Sequence, residues 1–123
     1  MALHRSRMSI DLSTGARFVA WTLLSAIVVL TYVPPGLRVV TGASHAAEHF
    51  AIFLLAGGFF AFGYRRNLAA LGILAIVFTG LLELLQLFVP GRHARPSDFA
   101  INALGACIGI TAAWLFQRAK RHL

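Results

Sequence analysis

The sequence predicts an all-α fold, an integral membrane four-helix bundle, on three observations. Hydrophobic residues make up 59% of the chain and charged residues only 12%, against about 25% charged in a soluble domain. The apolar residues fall into four runs, each close to the length that crosses a bilayer. The basic residues gather at the ends of those runs, where they anchor helices and set their orientation. At 123 residues the chain has room for one domain.

Residues 1–15 read as a polar, basic, frayed cytoplasmic tail. The first apolar run is Phe18 to Val33, stopped by Pro34-Pro35. It would rise about 24 Å, short of a hydrocarbon core of roughly 30 Å, and Arg17 can lengthen it by snorkelling. A cleaved signal peptide is the rival reading of this run, but no convincing small-residue cleavage site follows it. A loop with Gly36, Arg38, Gly42 and Ser44 leads to a second span from Ala46 to Tyr64. Arg65-Arg66-Asn67 makes a tight connection to a third, Leu68 to Val89, which ends at Pro90-Gly91. After the loop carrying Arg92, His93 and Arg95 comes a fourth span, Asp98 to Phe116, with Ser97 expected as its N-cap. The membrane domain is thus expected over 16–117, followed by a basic cytoplasmic tail at 118–123.

Charge distribution sets the expected orientation. The N-terminal tail, the Arg65-Arg66 turn and the C-terminal tail together hold eight Lys or Arg; the other two loops hold Arg38, Arg92 and Arg95. The positive-inside rule then puts both termini in the cytoplasm and the 90–97 loop outside. A compact chain of this kind points to the bacterial cytoplasmic (inner) membrane. The net charge of +7 forms no continuous stripe that could track phosphates, which argues against a nucleic-acid partner. Cys107 is the only cysteine, so neither an internal disulfide nor a multi-thiolate metal site can form; it reads as a small packing residue.

Of the four acids, Glu48, Glu83 and Asp98 lie in or beside a span; Asp11 does not. Ionisable groups at membrane depth face the bundle interior and tend to mark function. Glu48 and His49 open the second span, Glu83 and Gln86 lie near the end of the third, and Asp98 and Asn102 open the fourth. Start, end and start of successive spans fall on one membrane face, so these groups share one depth. Glu83 and Gln86 are three apart and Asp98 and Asn102 four apart, so each pair occupies one helix face. Gly105 and Gly109 continue the Asp98–Asn102 face and permit close helix approach, with Gly57, Gly58 and Gly80 as further small contacts. Interhelical hydrogen bonding alone would account for amides. It needs no ionisable acid, and three acids at one depth favour a site.

The ordered pattern Glu83, Gln86, Pro90-Gly91-Arg92, Ser97-Asp98, Asn102 and Gly105, with His49-Phe50 opening an earlier span, closely resembles the VanZ-like family of bacterial membrane proteins. The resemblance covers roughly residues 45–110. Many members carry an Asp-Lys pair shortly before the histidine; here those positions are His45 and Ala46, with Glu48 beside His49, so no role of that lysine carries over. The resemblance implies a link to the cell envelope and to glycopeptide sensitivity, since the founding member is tied to teicoplanin resistance.

Three functions fit these residues. In the first, the bundle recognises or processes an envelope lipid or lipid-linked cell-wall precursor. Arg92 and Arg95 would bind a phosphate bidentately. Glu83, Asp98 and His49 would be catalytic candidates for proton transfer, and Gln86, Asn102 and Glu48 would contact the ligand. In the second, the chain is a metal-dependent membrane hydrolase. His45, Glu48 and His49 spell H-x-x-E-H, and Glu83 or Asp98 would add a ligand. This is a weak signal, and no metal or other cofactor is expected. In the third, the chain is a non-catalytic subunit or stability factor for a membrane protein partner.

Overall fold

Within a hydrocarbon layer every backbone N–H and C=O needs an internal partner, and a chain this apolar meets that demand with helices. The computed structural model describes residues 2–32, 45–64, 67–89 and 96–122, and no strand occurs among them. Four helices follow in order: α1 (Ala2–Tyr32), α2 (His45–Gly63), α3 (Leu68–Gln86) and α4 (Pro96–Arg121). Each contains a stretch long and apolar enough to cross a membrane: Asp11–Tyr32, Ala46–Gly63, Leu68–Gln86 and Pro96–Arg121. Large apolar side chains such as Phe18, Leu55, Ile73, Val77, Leu84 and Leu104 point outward. That arrangement suits an acyl-chain solvent.

Three local expectations are corrected. The basic stretch before the first span is helical from Ala2 rather than frayed, which makes α1 31 residues long. Extending an existing helix requires no new nucleus. The third helix ends at Gln86 rather than Val89. Leu87, Phe88 and Val89 close it with bonds to carbonyls three residues back, at 3.1–3.2 Å, a tightened last turn. Ser97 is not the N-cap of α4, because the helix already begins at Pro96; proline suits a first helical position, where its missing N–H costs nothing. Asn67 is the cap that forms: its Oδ1 accepts from Ala69 N–H at 2.8 Å at the start of α3.

The most extensive helix pair is α2 with α4, and glycine makes it so. A Cβ on Gly105 would stand 2.7 Å from the Phe50 carbonyl oxygen; one on Gly57 would meet the Ala106 carbonyl, and one on Gly109 the Leu54 carbonyl. The backbones are therefore almost in contact, as small-residue packing in membranes permits. Contacts of 50 with 105 and 54 with 109 advance together, so α2 and α4 run parallel. The α1–α2 pair is antiparallel, with Arg17 at Gly63 and Trp21 at Phe60 and Tyr64. In contrast, α3 packs chiefly on α4, for example Gly80 beside Phe99, and only marginally on α1 and α2. The core contains Ile27, Phe53, Ala56, Leu82 and Ala106.

The first residues of α1 and the last of α4 lie on one face of the bundle, the terminal face. Cations there pair with aromatic rings: Arg17 over Tyr64 at 4.6 Å, Arg118 over Trp114 at 5.1 Å and Lys120 over Phe116 at 5.0 Å.

Candidate functional site

Toward the opposite, far face, three helices carry four polar side chains in their buried or half-buried positions. Glu83 and Gln86 occupy one face of α3 at 7% and 6% exposure, and Asn102 on α4 is 3% exposed. His49, one turn into α2, is half-buried. The parallel register of α2 and α4 brings His49 and Asn102 to the same depth, where the His49 Nδ1–H donates to Asn102 Oδ1 at 3.1 Å. The His49 ring stacks on Phe53, with centroids 6.4 Å apart and planes inclined by 24°. Phe53 belongs to the apolar core, so the polar layer rests on a hydrophobic floor.

The acids have different settings. Glu48 and Asp98 are half-buried in the first turns of α2 and α4. A negative charge is favoured there by the helix macrodipole, which by itself accounts for an acid at either position. Glu83 lies three residues from the C-terminal end of α3, where the macrodipole gives an acid no support. It is also the buried acid, with Oε2 withdrawn from the surface. Capping does not explain Glu83, and of the three acids it carries the strongest case for a specific role.

One residue of this face is not among the sequence-derived candidates. Thr79 lies one turn below Glu83, is 1% exposed, and donates to the Ala75 and Ile76 carbonyls at 3.0 and 2.9 Å. Its four-residue spacing from Glu83 was the available signal. The structure thus brings together His49 and Asn102 by hydrogen bond, and Glu83 with Gln86 by helix face. Arg92 and Arg95 lie outside the described residues, as does the side chain of His45. Among the described residues no group of three His, Cys, Asp or Glu side chains is placed to hold a metal ion.

Residues 4–117 match the VanZ/LLP1 family. The chain belongs to that family. No curated protein and no solved structure matches it significantly. The match reaches into all four helices of this VanZ/LLP1 protein and includes His49, Glu83, Gln86 and Asn102.

Proposed function

We propose that this VanZ/LLP1 protein acts in the bacterial cytoplasmic membrane, with both termini in the cytoplasm, on the head group of an envelope lipid or lipid-linked cell-wall precursor. The carrying observation is the buried Glu83, which shares a helix face with the buried amide of Gln86. A purely cohesive layer has no use for a buried acid where the helix dipole lends it no support. In this reading Arg92 and Arg95, in the adjoining connection, hold phosphate oxygens. Glu83 and His49 exchange a proton with the head group, while Gln86 and Asn102 orient it. Asp98 and Glu48 flank the entry. Glycopeptide sensitivity would change because the bound head group belongs to cell-wall construction. The orientation draws support from the eight basic residues and the aromatic–cation pairs of the terminal face.

The test is complementation of a deletion strain under teicoplanin. A chain carrying both Arg92→Gln and Arg95→Gln should reach wild-type levels in the membrane yet leave the strain at the susceptibility of the deletion. Full restoration by that chain would remove phosphate recognition from the proposal.

A further inference from the structure

The loose packing of α3 against α1 leaves an apolar cavity of about 380 Å³ in the terminal half of the bundle. Its size lies within the usual range of ligand sites. It is elongated: the α3 residues lining it run from Leu71 to Thr79, a rise of about 12 Å. Leu24 and Ile27 of α1 face Leu74, Ala75 and Phe78 of α3 across it. The few polar side chains on its wall already have partners. Thr79 donates to its own helix, and Trp21 Nε1–H donates to Tyr64 Oη at 2.7 Å. An occupant therefore gains its contacts from carbon. The cavity lies among helices long and apolar enough to cross a membrane, and a lipid chain has the chemistry to fill such an apolar space.

The rim of the cavity says which lipid. Trp21, Phe60 and Tyr64 close its terminal end, with Trp21 edge-on to Phe60 at 5.4 Å. Arg17 lies over Tyr64, and its Nε–H donates to the Gly63 carbonyl at 2.7 Å. That bond fixes the side chain through one nitrogen while the residue remains exposed. Arg17 thus sits beside Tyr64, a residue of the cavity wall, with its terminal guanidinium nitrogens not used in that bond, and such a pair of nitrogens can bind phosphate bidentately. Arg118 and Lys120, in the last turn of α4, add further positive charge to this face. Juxtamembrane cations of this kind attract anionic lipid.

We infer that this cavity is a binding slot for one acyl chain of an anionic phospholipid from the leaflet at the terminal face, with Arg17 holding its phosphate. The slot is separate from the polar layer and does not depend on the function proposed for it.

The probe is protein reconstituted in nanodiscs of phosphatidylglycerol and phosphatidylethanolamine, released into detergent and weighed by native mass spectrometry. One phosphatidylglycerol should stay with the wild type. Arg17→Gln should lower its preference over phosphatidylethanolamine roughly fivefold, the weight of one cation near an anionic surface. Ala75→Trp, which fills the slot, should abolish retention of either lipid, and Glu83→Gln should leave retention unchanged. Equal retention in wild type, Arg17→Gln and Ala75→Trp would overturn the inference. Loss of retention in Glu83→Gln would overturn it too, by assigning the lipid to the polar layer. Should Ala75→Trp not fold, wild-type protein settles the matter with phosphatidylglycerol bearing a mid-chain diazirine. Cross-links should concentrate on Leu24, Leu74 and Phe78, and labelling spread evenly over the outward faces would overturn the slot.

Discussion

The His49 Nδ1–H reaches Asn102 Oδ1 at 3.1 Å and joins the second turns of two parallel helices. This bond ties the polar layer to the glycine seam beneath it, because Asn102, Gly105 and Gly109 share the buried face of α4. Both parts depend on one register, and each can be perturbed separately.

For the bond itself, a double-mutant cycle of His49→Leu and Asn102→Leu should give a coupling energy of about 0.6 kcal/mol, the usual size for interhelical hydrogen bonds in membranes. Reversible unfolding in detergent would measure it. Strictly additive effects would mean that the two side chains do not meet in solution.

The seam makes a sharper prediction. Gly105→Leu and even Gly109→Ala should destabilise the protein, by about 1–3 kcal/mol for the smaller change, since the new carbon meets backbone that cannot move alone. Gly72→Ala on α3 is the internal control: a Cβ there has nothing within 4 Å. Thermal unfolding should separate the three, and equal midpoints for Gly109→Ala and Gly72→Ala would contradict the close α2–α4 approach.

Much of this arrangement is legible in the sequence, for identifiable reasons. Spacings of three and four residues put Glu83 with Gln86, and Asn102 with Gly105 and Gly109, on single faces, and each face is buried. Spacing does not say which helix a face meets. A stripe of glycines accepts any close neighbour, and only the folded register selects α2. Thr79 leaves little trace in the sequence, because a hydroxyl bonded to its own helix causes little disturbance in an apolar run. The helical start of α1 was hidden for a different reason. Its polar residues have no apolar period of their own, and they are helical as a continuation of the span. The Arg17–Gly63–Tyr64 contact joins helix ends across a turn, a juxtaposition that local patterns do not encode.

Orientation has a direct test. With Cys107 first replaced, His93→Cys should react with a membrane-impermeant maleimide added to intact cells, whereas Arg66→Cys should react only after permeabilisation. The opposite pattern would invert the orientation inferred from eight basic residues against three.

The decisive substitution for the polar layer is Glu83→Gln. It keeps the volume and reach of the side chain and removes its capacity to ionise. If the layer only holds helices together, the amide should serve at least as well, because burying a neutral group costs less than burying an ion. Stability and envelope phenotype would then both survive. If Glu83 exchanges a proton with a head group, the variant should fold with an unfolding midpoint at or above that of the wild type and yet fail to complement a deletion strain under cell-wall antibiotic stress. The second pattern is expected, because Glu83 is the buried acid of the three and the helix dipole gives it no support. Measuring both quantities on one variant matters, since a complementation failure counts only when the protein is shown to be folded. Full complementation would leave the layer as structural cohesion and remove acid chemistry at Glu83.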